Sequence, residues 1–210
     1  MESNHFHHKS VSKLNEVRIA VRGFTLVELM VVLAIIVIIS TVVLTSQTSF
    51  NKTLILANTA YDIALTIRST QSFGIGSRAI LGTTNVGHGV HFQRGGSFIL
   101  FADTSPSASC GRPDCSPGDY VYGAGDTFLQ TYELNNGMTI SNFCVDGLCT
   151  YSSLDVVFLR PNPDAFISVD GSTFTNYAKA CLIVTSPQGG EKYVSVSKSG
   201  QIIANASQCP

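Results

Sequence analysis

The chain has 210 residues, 44% of them hydrophobic but only 13% charged, with a net charge of −1. Soluble domains carry about 25% charged residues, so a freely soluble protein is not expected. The near balance of 13 basic and 14 acidic residues excludes a protein whose main work is neutralising phosphates, and the apolar content excludes a disordered acidic chain.

Residues 1–23 read as a short leader in which Lys9, Lys13, Arg18 and Arg22 outnumber Glu2 and Glu16. Positive charge ahead of an apolar segment holds that end in the cytoplasm and puts the rest outside. No residue from Leu29 to Asn51 is charged, and from Phe24 to Leu44 only Glu28 interrupts the apolar run. At about 1.5 Å per residue in a helix that run crosses a bilayer. It is longer than a secretory signal core, and no A-x-A cleavage pattern follows it. Glu28 is the odd residue. A carboxylate near the middle of a membrane helix costs about 2.5–3.5 kcal/mol and usually has a partner. Snorkelling to the interface and pairing with a specific group both fit the spacing.

With no proline or glycine between Phe24 and Phe73, the simplest reading is one helix over 24–73. Its weak point is the polar patch at 45–49, made of poor helix formers. Beyond the patch, Leu56, Ala57, Ala60, Ile63, Ala64 and Ile67 fall on one face. Asn58, Thr59, Asp62, Thr66, Ser69 and Thr70 fall on the other. Gly74 and Gly76 are expected to end the helix. From about residue 79 the pattern changes to strands, predicted at 89–92, 97–101, 127–132, 154–159, 165–169, 180–185, 193–197 and 201–204. Arg94-Gly95-Gly96 and Ser199-Gly200 are the expected turns. The head is thus mainly antiparallel β.

Arg22-Gly23-Phe24-Thr25-Leu26-Val27-Glu28-Leu29 resembles the prepilin signature of type IV pilins and type II secretion pseudopilins. The resemblance implies cleavage by a prepilin peptidase between Gly23 and Phe24 and N-methylation of Phe24. It also implies that Glu28 pairs with the free amine of a neighbouring subunit. The implied fold is α+β and pilin-like: a long N-terminal helix, membrane-embedded in its first half, packed on an antiparallel head. The chain then divides into a cleaved leader (1–23), a transmembrane and filament-core helix (24–45), its amphipathic continuation (46–76) and a head (77–210). Three head segments, 60–73, 89–92 and 194–203, look like the GspH/FimT group of minor pseudopilins, low-abundance subunits that prime, cap or regulate a filament. The implied partners are other pilin subunits, the prepilin peptidase and an inner-membrane assembly platform. The implied location is the inner membrane, with the head in the periplasm or outside the cell.

Six cysteines remain to be placed. Cys110-x4-Cys115 and Cys144-x4-Cys149 leave a four-thiolate zinc site open, at looser spacing than usual. An extracytoplasmic head favours disulfides. Of 15 possible pairings, the expected set is Cys110–Cys115, Cys144–Cys149 and Cys181–Cys209. The last would close a C-terminal loop, as in many pilins. His5, His7 and His8 lie in the leader and receive no role; His88 and His91 read as ordinary polar strand residues. Asp114, Asp119, Asp164 and Asp170 read as turn formers rather than calcium ligands, since no EF-hand spacing is present.

No catalytic residue and no cofactor is expected: G-x-S-x-G, H-E-x-x-H and G-x-x-x-x-G-K-[ST] are all missing. DNA uptake by FimT-type proteins uses arginines near the last strand turn. Here Lys198-Ser199-Gly200-Gln201 has one lysine and no arginine, so nucleic acid is not the expected partner. The alternative to a structural subunit is a filament-tip binding module, with residues 104–125 as its contact surface.

Overall fold

A computed structural model describes residues 23–76, 80, 85–104, 118–173, 175–206 and 208–209, and the side chains at 45–50 are not among those described. Residues 1–22, with His5, His7 and His8, fall outside this set, as do Asp114, Cys110 and Cys115. The chain divides into two units, residues 1–45 and 46–210.

The described part of the first unit is helical. Helix α1 (Leu26–Ile75) begins here and is apolar on every side. Leu26–Leu44, 19 residues with mean hydropathy 3.0, is long and apolar enough to cross a membrane, and none of it is buried within the chain. The hydroxyl of Thr41 donates to the Val37 carbonyl at 2.8 Å, so that this polar atom is satisfied inside the helix.

In the second unit α1 becomes one-sided. Leu56, Ala60, Ile63, Ala64 and Ile67 are buried on the face that the sequence predicts. Thr59 and Thr70, expected on the polar face, are buried too. Each donates its hydroxyl to the carbonyl one turn back, Ile55 and Thr66 respectively, so burial leaves no donor unsatisfied. The helix continues to Ile75, and Gly76 N–H closes on the Ser72 carbonyl. Gly74 lies inside the last turn rather than after it. A Cβ there would sit 2.3 Å from the Phe158 carbonyl oxygen, so glycine is what lets the helix end lie against the sheet.

Among the described residues nine antiparallel strands follow: β1 (Gly87–Gln93), β2 (Ser97–Asp103), β3 (Thr127–Glu133), β4 (Thr139–Val145), β5 (Ser153–Phe158), β6 (Ala165–Val169), β7 (Lys179–Thr185), β8 (Glu191–Ser197) and β9 (Ile202–Ala206). They form a five-stranded sheet in the order β3-β2-β1-β5-β6 and a four-stranded sheet in the order β4-β7-β8-β9. Gly95, in the expected β1–β2 turn, exchanges two backbone hydrogen bonds with Ile140 of β4 and so ties one sheet to the other. The inner faces of both sheets and the apolar face of α1 share one core, with Phe92, Phe143, Phe158 and Leu182 fully buried. Arg68 donates to the Ile202 carbonyl, and Gln71 to those of Pro163 and Gly200. These polar tethers fix the rotation of the helix over the strands.

Strand β4 is the element that the sequence reading missed. Its register shifts between Ile140 and Asn142, which breaks the alternation that marks a strand.

Candidate functional site

The first candidate site is the start of α1. Gly23 and Phe24 are exposed, Phe24 at 80%. Thr25 is the N-cap: its hydroxyl accepts the Glu28 N–H at 3.2 Å, and its carbonyl accepts the Leu29 N–H. Thr25 and Glu28 therefore stand in the T-x-x-E spacing of a capping box, with Glu28 at the third helical position. A carboxylate in the first turn also faces the positive end of the helix dipole. Sequence reasoning gave Glu28 a role and overlooked Thr25, although the T-x-x-E spacing ahead of an apolar run was the available signal.

The cysteines form the second constellation. Asp146 (φ 47°) and Gly147 (φ 87°) make a two-residue turn closed by reciprocal Val145–Leu148 backbone bonds, the Asp-Gly geometry of a tight hairpin. Cys144 and Cys149 flank it and are bonded, with Cα atoms 4.0 Å apart. Asp146 accepts the N–H groups of Ala178 and Lys179, which locks the turn to β7. Cys181 in β7 is bonded to Cys209, Cα to Cα 5.6 Å, which pins the chain end beyond β9.

A third cluster was not foreseen. The outer face of the five-stranded sheet is covered by the strap Gly118–Gly123, and Tyr120 stacks on Phe166 with centroids 3.9 Å apart. Buried carboxylates take the strap's backbone N–H groups. Asp103 accepts those of Asp119 (3.0 Å) and Tyr120 (2.8 Å), and Asp155 Oδ1 accepts that of Tyr122 at 3.3 Å. Asp126 accepts those of Gly123 and Thr104. Gly118 passes so close to Asp103 that a Cβ would meet its carboxylate at 2.0 Å. Burial raises the pKa of Asp103 to about 7, opposed by its hydrogen bond from Tyr120. Burial also raises that of Asp155, opposed first by its hydrogen bond to His91.

His91 departs from its sequence reading: it is buried, with Nδ1 2.7 Å from Asp155 Oδ1. Alternation along β5 puts Asp155 on the face opposite Leu154 and Val156, which reads as solvent-facing until the strap covers it. Asp170 is a turn former, at φ 48° and accepting the N–H groups of Ser152 and Ser153. Among the described residues, no group of three or more His, Cys, Asp or Glu side chains suits a metal ion.

Residues 18–44 match the prokaryotic N-terminal methylation motif. No curated protein and no solved structure matches the chain. The match supports a type IV pilin-like or pseudopilin subunit with a prepilin leader, and the family that carries the motif is structural rather than enzymatic. The α+β architecture, with its apolar N-terminal helix and antiparallel sheets, is consistent with the pilin-like fold.

Proposed function

We propose that the chain is a minor pilin or pseudopilin that primes, caps or regulates a type II secretion pseudopilus or a type IV pilus. Prepilin peptidase removes residues 1–23 by cutting between Gly23 and Phe24, and the new amine of Phe24 is methylated. The observation that carries this reading is Leu26–Leu44, apolar all round and unburied within its own chain, in register with the methylation motif. Such a surface needs lipid or neighbouring helices around it. An anchored subunit, N-terminus cytoplasmic and head outside, uses both in turn, passing through the inner-membrane platform into the filament. In the filament Glu28 neutralises the Phe24 amine of a neighbour, since an unpaired charge among apolar helices is costly. Minor status rests on the likeness of the head segments to the GspH/FimT group.

The test is mass analysis of the protein from its host, with sister subunits quantified in sheared filaments. The expected result is a chain that begins at Phe24, bears one added methyl group and is present at far below the level of the main subunit. An unprocessed Met1 chain would refute the reading.

A second reading, a filament-tip binding module, is favoured by the strap. It anchors the base of the segment 104–125 firmly on the sheet, as a contact loop would need.

A further inference from the structure

Cys144 has a cysteine on each side. Across the hairpin turn it meets Cys149, its bonded partner. On its other side, the β4–β7 register sets Cys144 directly opposite Cys181. Residues directly opposite on antiparallel strands share a face and have Cα atoms about 4.5–5.5 Å apart. That separation lies inside the range of about 4.4–6.8 Å that a disulfide spans. Both observed disulfides thus meet at the Cys144/Cys181 rung, and a third pairing across that rung is sterically open. Access is graded along the row: Cys149 is exposed and Cys209 half-buried, whereas Cys144 and Cys181 are buried at 6% and 1% exposure.

We propose that Cys149 is the entry site of a thiol–disulfide relay. A small thiol or an external dithiol protein opens the Cys144–Cys149 bond, and Cys144 passes the exchange to the buried Cys181–Cys209 staple. The incoming thiolate attacks the Sγ of Cys149, forms a mixed disulfide there and expels the thiolate of Cys144. A buried thiolate is disfavoured, and Cys181 stands directly opposite on the same face. Attack on its sulfur forms Cys144–Cys181 and expels Cys209, the more exposed sulfur, as leaving group. A second thiol of the same class resolves the mixed disulfide on Cys149. In sum, two external thiols become one disulfide, and two protein disulfides become one disulfide and two thiols, on Cys149 and Cys209. The protein keeps its inner cross-link and releases the chain end that follows β9, the edge strand of the four-stranded sheet.

The experiment uses the full chain in detergent with Cys110→Ser and Cys115→Ser, so that four cysteines report. Adding Cys149→Ser leaves one thiol in the row, and alkylation with peptide mapping at about pH 8, where thiols begin to ionise, shows which residue carries it. The expected result is label on Cys209 and a Cys144–Cys181 linked peptide. The companion variant with Cys144→Ser instead is expected to show label on Cys149 and an intact Cys181–Cys209 pair. Label remaining on Cys144 after overnight incubation, with Cys181–Cys209 intact, overturns the relay. Should the Cys149 variant misfold, the unmodified chain given limiting dithiothreitol and quenched in acid decides the matter. Cys144–Cys181 among its single-disulfide species supports the relay, and only original pairings refute it.

Discussion

His91 and Asp155, on neighbouring strands of the five-stranded sheet, are joined by a hydrogen bond of 2.7 Å beneath the Gly118–Gly123 strap. The pair is buried, and the second oxygen of Asp155 has no hydrogen-bond partner among the described residues. Removing the imidazole would therefore leave a buried carboxyl group with the Tyr122 N–H alone. His91→Ala is expected to cost about 3 kcal/mol, the scale of a broken buried polar pair. Urea unfolding of the head signal measures it, and a loss below about 1 kcal/mol would show that the pair is not structural.

Asp103 gives the head an unusual pH dependence. Its pKa stands near 7 in the fold, against the ordinary 3.8. A group raised in this way binds its proton more tightly when folded, so stability falls as pH rises from about 4 to about 7 and is flat above that. Asp155, also raised, acts in the same direction. The Asp103 difference corresponds to about 4 kcal/mol at most. Unfolding midpoints are expected to be higher at pH 5 than at pH 8, and Asp103→Asn should flatten most of that slope. An unchanged slope would assign the effect to other groups.

At the N-terminus, two substitutions separate helix capping from assembly. Thr25→Ala removes the cap and is expected to fray the first turn by about 1 kcal/mol, read as faster amide exchange at Glu28 in detergent. Glu28→Gln preserves the T-x-x-Q form of the box. It should leave exchange unchanged yet remove the protein from sheared filaments. Normal filament recovery of the glutamine variant would show that the charge at Glu28 is dispensable.

Gly74→Ala tests the docking of the helix end. The added methyl group would press on the Phe158 backbone, and overpacking of this kind costs about 1–3 kcal/mol. A Tm equal to that of the parent would mean that the helix end yields freely.

The parts of this architecture that could be read in the sequence are those governed by one local rule. Helical spacing identified the buried stripe from Leu56 to Ile67, and alternation together with turn signals identified eight of the nine strands among the described residues. The ninth, β4, hid behind its irregular register at Ile140–Asn142. The strap was invisible for a different reason. Asp103 and Asp155 look like outward strand residues, and only the return of Gly118–Gly123 over that face buries them. Thr59 and Thr70 misled for a third reason, because a hydroxyl that bonds its own helix counts as polar in a pattern and as satisfied in a core.

The strap is held chiefly by backbone N–H groups that framework carboxylates accept. A backbone donor is the same whatever side chain follows it. Side chains of the strap can therefore change without loosening these anchors, provided that Gly118 and the three aspartates Asp103, Asp126 and Asp155 persist. The head thus carries a clasp whose polar grip is set by the carboxylates of its framework, so the residues it grips can be exchanged, Tyr120 on Phe166 apart, without loss of that grip.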